Sequence, residues 1–397
     1  MVGRRVLAVV VLWTCAIAGC ADGESSVPGA PEPDTTAGSP SSEIVIGVHG
    51  PKSGPAAALV EDVFVGFRAY VDQLNAAGGI ADRPVTLIEV DDQFTVNGGT
   101  AAAQDLLRRD PTVVLNLAGA DSALGAKTAL EDRGVPYLTV ALPVAELQDV
   151  ESTFFLGTPL EMQAAALPSF LKERFDPAPG TLAVLAEEGQ IYEDMVAHLE
   201  EAADEADLEI ATVEWIDGQA PSFTTNLARL KSSGIETVAF VGALGMPGTL
   251  RDAAAIGFAP TWTGVGPWTT NFFVDLTQGA LEGVEAVRTF SAVSDSGYDE
   301  YVEAVGSEAT PSELGLTGWQ TGQMVEAVLA LAGDDLSHDA IVAALESTGD
   351  GSGLEVKGDL VLEYTDDRHW GSEDVLPARI EDGVWVTTGS WTRRFGS

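Results

Sequence analysis

Cysteine is almost absent from this 397-residue chain: there are two, Cys15 and Cys20, both within the first twenty residues. The rest of the chain therefore has no disulfide, no cysteine nucleophile and no thiolate metal site to offer. Lysine is also scarce, five in all, and 20 basic residues face 61 acidic ones for a formal charge of −41. Such a chain cannot neutralise a row of phosphates, which excludes nucleic acid as a partner. An acidic surface also repels anionic lipid, so no basic patch can hold it to a membrane. The four histidines, His49, His198, His338 and His369, are scattered without metal-ligand or triad spacing, and His198 falls on an acidic helical face. No Gly-x-Ser-x-Gly elbow is present, and the glycines of Gly264 to Trp268 lack a phosphate-loop lysine and hydroxyl. A hydrolase on an α/β scaffold is thus the weakest of the alternatives, and neither catalysis, cofactor nor metal is expected.

What is present begins with a positive Arg4-Arg5 pair, an apolar stretch from Val6 to Trp13, and small residues Ala16-Ile17-Ala18-Gly19 leading to Cys20. The apolar stretch is shorter than the ~20 residues of a membrane span and reads as a secretory signal. A thiol directly after Ala18-Gly19 is what a lipoprotein signal needs, and the segment resembles a bacterial lipobox in which Cys20 accepts a diacylglycerol and becomes residue one. The alternatives are an uncleaved anchor, or a plain signal with an incidental cysteine. Ala21 to Ser42 is rich in Gly, Pro, Ser, Asp and Thr without apolar periodicity, a composition expected of a flexible tether. An exported protein anchored on the outer face of the cytoplasmic membrane is the expectation.

From Glu43 onward the chain is longer than one core usually accommodates. Short β-branched runs alternate with helical stretches: Ile44 to Val48, Val85 to Val90, Val113 to Leu117 and Tyr137 to Val140 read as strands, with helices over Val60 to Ala77, Gly99 to Arg109 and Ala123 to Arg133 between them. The pattern restarts with a helix over Glu161 to Phe175 and strands over Thr181 to Ala186, Glu209 to Trp215 and Thr237 to Val241. Two βαβ series predict an α/β fold of two doubly wound parallel-sheet lobes. In open parallel sheets ligands bind outside the carboxyl ends of the strands. The loops there are His49 to Pro55, Asp91 to Phe94, Ala118 to Ser122, Ala141 to Pro143, Glu187 to Tyr192, Gly242 to Gly245 and Gly264 to Trp268.

Three segments at these loops carry a family likeness: Ile46-Gly47-Val48-His49-Gly50-Pro51-Lys52-Ser53-Gly54-Pro55, then Gln73-Leu74-Asn75-Ala76-Ala77-Gly78-Gly79-Ile80 with Arg83-Pro84-Val85, and Val90-Asp91-Asp92-Gln93. With them the chain resembles the type I periplasmic binding proteins, in the leucine/isoleucine/valine-binding branch of ABC transporters, from Glu43 to about Gly389. The resemblance implies a three-strand hinge, with residues 43–155 and 290–365 in lobe one and 156–289 and 366–397 in lobe two. Residues 1–20 would be the signal and 21–42 the tether. It also implies a monomer that captures a small solute by lobe closure, without catalysis, and hands it to the permease subunits of an importer. The same fold could instead report a ligand to a membrane receptor.

The family's ligand positions map onto Ala120, Asp121 and Ser122 after the third strand, Ala141 and Leu142 after the fourth, Tyr192, and Gly266. Ser53 either contacts ligand or caps the helix that follows. Pro143 stands where a hydroxyl and an N–H would meet a carboxylate, and it has neither. Gly266 stands where an acidic residue would bind an ammonium, so Asp121, Glu187 or Glu188 would have to replace it. Leu142, Leu244 and Trp268 would suit an aromatic or otherwise apolar ligand. Tyr192 and Trp268 can also be read as packing residues, as can Trp370, Trp385 and Trp391. Asp91-Asp92 reads as strand-end and helix-cap carboxylates, or less simply as a metal pair.

Overall fold

The protein is described by a computed structural model covering residues 43–395, except for 55–56, 141–151, 290, 296, 308, 357–359 and 394. The first lobe is a parallel sheet with helices between its strands. β1 (Ile44–Gly50), α1 (Ala57–Ala76), β2 (Val85–Asp91), α2 (Val96–Leu107), β3 (Val113–Asn116), α3 (Ala120–Glu131), β4 (Tyr137–Thr139) and β5 (Thr153–Phe155) follow one another along the chain. They assemble in the order β2-β1-β3-β4-β5. Side chains alternate across this sheet. Ile44, Ile46, Val48, Val113 and Leu115 enter one core, while Val114, Tyr137 and Phe155 enter another on the opposite face.

The second lobe repeats the theme. α4 (Leu160–Arg174), β6 (Leu182–Glu187), α5 (Gln190–Glu205), β7 (Ile210–Ile216), α6 (Thr224–Ser232), β8 (Thr237–Val241), α7 (Met246–Ala255), β9 (Thr261–Val265) and α8 (Asn271–Leu276) build a parallel sheet ordered β7-β6-β8-β9. Ala183, Leu185 and Phe240 face one core; Leu182, Val184, Ala186, Ala239 and Val241 face the other. β6 and β8 are buried along their whole lengths, which is why they read as unbroken apolar runs.

The chain then returns through β10 (Glu285–Arg288) to α9 (Tyr298–Val305), α10 (Glu313–Ala332) and α11 (His338–Glu346). The hairpin β11 (Leu354–Val356) and β12 (Leu360–Leu362) packs into the core of the first lobe, whereas β13 (Leu376–Glu381) and β14 (Val384–Thr387) extend the second in an antiparallel sheet with β10. Two of the segments that connect the lobes run side by side: Phe155 N–H donates to His369 O at 2.8 Å, and Gly371 N–H to Phe155 O at 3.0 Å. No described helix is long and apolar enough to cross a membrane.

Several helices begin a turn earlier than apolar periodicity suggests. α2 starts at Val96 because the Thr95 hydroxyl accepts from Gly98 N–H at 3.0 Å, a cap that the apolar pattern does not register. α1 and α10 cross so closely that a Cβ on Gly66 would collide with the Gly315 carbonyl, and one on Gly318 with the Val63 carbonyl. Here glycine serves close approach rather than backbone freedom. Gly318→Val should therefore lower stability by about 3 kcal/mol or more, as overpacking against backbone leaves no side chain to move aside. Urea denaturation of the full chain reads this, and an unchanged midpoint would refute the close-crossing account.

Candidate functional site

The carboxyl ends of the first sheet are held by two neighbouring carboxylates. Asp91 accepts from Lys52 N–H at 2.9 Å, Gln93 N–H at 3.0 Å and the Ser53 hydroxyl at 2.5 Å, tying the loop after β1 to the end of β2. Burial works against the Asp91 charge, but the Ser53 and backbone hydrogen bonds outweigh it and hold the carboxyl below its usual range. Asp92, fully buried, caps Phe94 N–H at 2.9 Å with one oxygen and meets His49 Nδ1 at 2.8 Å with the other. His49 Nε2 lies 2.8 Å from the Tyr137 hydroxyl, an arrangement satisfied when Nδ1 donates to Asp92 and Nε2 accepts. Burial first, and the Asp92 charge second, push the Tyr137 hydroxyl well above its usual range. This Asp–His–Tyr chain was invisible to sequence reasoning, because its members lie 43 and 88 residues apart. All three are sealed from solvent, so they make a structural link and not a triad.

In the second lobe Glu187 takes the corresponding part. Its Oε1 accepts from Ala243 N–H at 3.0 Å and Gly245 N–H at 2.6 Å. A Cβ on Gly218 or Gly242 would lie within 2.6 to 2.8 Å of the Glu187 side chain, so both glycines leave it room. That commits one oxygen of Glu187 to the loop after β8, and Glu187 does not line the cavity where the lobes join. Of the other two acids considered for a ligand ammonium, Asp121 is exposed in the first turn of α3 and Glu188 is exposed after β6.

A cavity of about 300 Å³ lies where the lobes join. Thr139 and Val140 reach it from the end of β4, Phe155 to Leu160 from the first connection and the start of α4, and Gly266-Pro267 from the end of β9. Thr289 on the return connection, Thr317, Gln320, Thr321 and Met324 on α10, and Trp391 complete its main walls. Among the described residues no charged side chain lines it. Its hydroxyls and amides already have protein partners in several cases: Thr158 donates to Asp374 O at 2.5 Å, Gln163 to Thr158 O at 3.1 Å, and Gln320 to Ser291 at 2.7 Å.

Of the ligand positions expected from the sequence that fall among the described residues, the cavity takes in Gly266 alone. Its φ of 113° suits no L side chain, and an added Cβ would stand 2.9 Å from the Gly242 carbonyl oxygen, so the backbone itself refuses an acidic residue there. Ser53 is exposed and bonded to Asp91; Ala120 and Asp121 open α3; Ser122 is buried, with its hydroxyl donating to Ala118 O and Gly119 O. No side chain caps α3. Leu244 is 60% exposed between the two N–H groups held by Glu187. Tyr192 is half-buried in the first turn of α5. Trp268 is fully buried, its indole N–H donating to Val265 O at 3.0 Å and Phe240 O at 3.2 Å, and it packs edge-on against Phe240. Ala141, Leu142 and Pro143 lie outside the described residues, as does Cys20. Trp391, read as packing, does pack against the core of the first lobe and reaches the cavity as well. The α10 residues come from a distant third segment, a helix buried on most sides, in which no motif sets the cavity-facing residues apart from packing ones.

A sequence model described as periplasmic binding protein matches residues 43–383. The leucine-, isoleucine-, valine-, threonine- and alanine-binding protein of Pseudomonas aeruginosa is 24% identical over 204 residues, 50% of this chain and 53% of its own length. Leu/Ile/Val-binding protein homolog 3 of Brucella melitensis is 24% identical over 359 residues, 87% of this chain and 93% of its own. The first curated relatives are thus matched over 53% to 61% of their lengths. Among solved structures, a branched-chain amino acid ABC transporter protein from Thermus thermophilus with bound valine aligns at TM-score 0.71 and 16% identity over 88% of this chain and 96% of that one. A solute-binding protein from Rhodopseudomonas palustris in complex with 3,4-dihydroxybenzoic acid aligns at TM-score 0.71 and 16% identity, over 88% and 97%. At these identities the likeness to solved structures shows the shared fold.

Two outcomes follow from this geometry. Glu187→Leu leaves two buried N–H groups without an acceptor and should cost about 2–4 kcal/mol, while Glu187→Gln, which keeps an acceptor, costs less. Urea midpoints of the two variants decide it, and equal losses would refute the backbone role. Burial, with the Glu187 charge adding to it, pushes the Tyr192 hydroxyl up to about 12. A raised folded-state pKa means that the folded protein holds this proton longer than the unfolded chain. Its contribution is present below pH ~10 and is lost as pH rises through about 12. Tyr192→Phe should accordingly flatten part of the stability loss across that window, and identical pH profiles for the two proteins would refute the assignment.

Proposed function

The chain belongs to the periplasmic binding protein family, and from that premise we propose that it is the extracytoplasmic solute-binding component of an ABC importer. Residues 43–155 with 290–365, and 156–289 with 366–397, act as the two lobes. They close on a small solute of apolar or aromatic character and present the closed form to permease subunits. The Cys20 lipid would keep this monomer at the outer face of the cytoplasmic membrane, with residues 21–42 as its tether. Binding alone, without catalysis, is the task.

The observation that carries the ligand reading is the neutral lining of the cavity at the lobe junction. Among the described residues, an ammonium closed into that space would meet hydroxyls, amides and apolar side chains but no carboxylate, and an unpaired buried charge is costly. Gly266 supports the same reading, because no acidic side chain can stand at that position without strain. The lining instead suits a flat or branched apolar body, with Thr and Gln side chains left to orient one polar group.

The test is a thermal-shift and titration series on the full chain with benzoate, phenylacetate, short-chain fatty acids, leucine, valine and glutamate. Aromatic or apolar acids should raise the melting temperature and change tryptophan emission, since Trp391 lines the cavity. Stabilisation by leucine or valine alone would overturn the apolar reading, and a flat response to the whole series would count against solute capture. Co-purification of permease subunits with the membrane-attached chain separates import from sensing.

A further inference from the structure

Three walls of the cavity are tied together by one buried ion pair that does not itself line it. Arg288 ends β10 in the second lobe, and Glu313 begins α10, whose Val325, Val328 and Leu329 pack in the core of the first. Their side chains are 0% and 3% exposed. Arg288 Nη2 donates to Glu313 Oε1, and its Nε donates to the Thr269 carbonyl at 2.7 Å. The guanidinium carbon stands 5.1 Å from the centroid of the Trp385 ring. Glu313 Oε2 accepts from Asn271 N–H at 2.7 Å, so a carboxylate from the first lobe caps α8 of the second.

Each partner is one bond or one turn away from a cavity wall. Thr289 follows Arg288 directly and lines the cavity. Thr269, bonded to Arg288, sends its hydroxyl to Gly266 O at 2.9 Å and its N–H to the same oxygen at 3.1 Å, holding the Gly266-Pro267 wall. Thr317, one turn along α10, donates to the Glu313 carbonyl at 3.1 Å. The pair therefore sits at the point from which the β9 end, the return connection and α10 are all set.

We propose that Arg288 and Glu313 are the positioning pair of the solute cavity, holding the two lobes at their junction in the solute-free relation from which they close, without touching the solute. This rests on the solute-binding reading of that cavity. A buried ion pair is a poor way to gain stability, because desolvation offsets most of the attraction, and an apolar pair of similar size folds as well or better. What the charges supply is direction. The Arg288–Glu313 bond is directional, and the further bonds of Arg288 to the Thr269 carbonyl and of Glu313 to Asn271 N–H narrow the geometries the pair can take, whereas two greasy side chains would tolerate a sliding α10.

That difference gives a measurement that separates positioning from mere support. The full chain with Cys15→Ser and Cys20→Ser takes spin labels at Gln104→Cys on α2 and Glu201→Cys on α5, both exposed positions. The distance distribution between them is recorded without solute. The parent should give one narrow peak. Glu313→Gln should broaden it and lower the melting temperature, and the double variant Arg288→Met/Glu313→Leu should recover the melting temperature while the distribution stays broad. A narrow peak in Glu313→Gln, a narrow peak in the double variant, or a parent distribution as broad as theirs overturns the proposal. Because no solute is present, failure of the solute series and failure of this measurement are separate results.

Discussion

Carboxylates bonded to backbone N–H groups hold the carboxyl ends of both sheets, and the rest of the molecule depends on them. A parallel strand that hands over to a helix leaves N–H groups pointing into the loop with nothing to accept them. Asp91 and Asp92 serve the loops after β1 and β2, Glu187 the loop after β8, and Glu313 the start of α8. Asp252 does the same after β7, where it accepts from Phe223 N–H at 2.7 Å and the Ser222 hydroxyl at 2.8 Å. Burial works against the Asp252 charge, yet these bonds and Arg251 hold the carboxyl below its usual range. In each case a charged acceptor fixes a loop that uncharged side chains would leave loose.

This use of acidic residues bears directly on what the cleft can hold. A chain with 61 acidic residues has carboxylates in number for gripping a cationic group. Glu187 and Glu313 are already bonded to backbone N–H groups, and the cavity between the lobes is lined by no carboxylate among the described residues. Gly266 completes the pattern, since its backbone conformation and the nearby Gly242 carbonyl exclude a side chain. The acidic groups sit on the loops at the strand ends and not, among the described residues, in the wall of the cavity.

Much of the architecture was legible in the residues. The apolar, β-branched runs of β1, β3, β6 and β8 place these strands within about a residue or two of where they lie. The carboxyl-end loops could be named in advance because parallel sheets always put their open helix ends there. The helix starts ran early where caps such as Thr95 act, and Trp268, read from its loop position as a ligand contact, proved to be enclosed in the second core.

Composition and periodicity by themselves determined the class of fold, the poverty in thiols and cations that excludes several chemistries, and the two-lobed plan. Only the tertiary structure decided which side chains meet. Asp92 with His49 and Tyr137, Glu187 with Ala243 and Gly245, and Arg288 with Glu313 join residues 25 to 88 positions apart. Local pattern records how a segment buries its own face. Which carboxylate satisfies which distant N–H, and which wall is left without charge, depends on chain crossings that bring separate segments to one point, and no window along the sequence contains them.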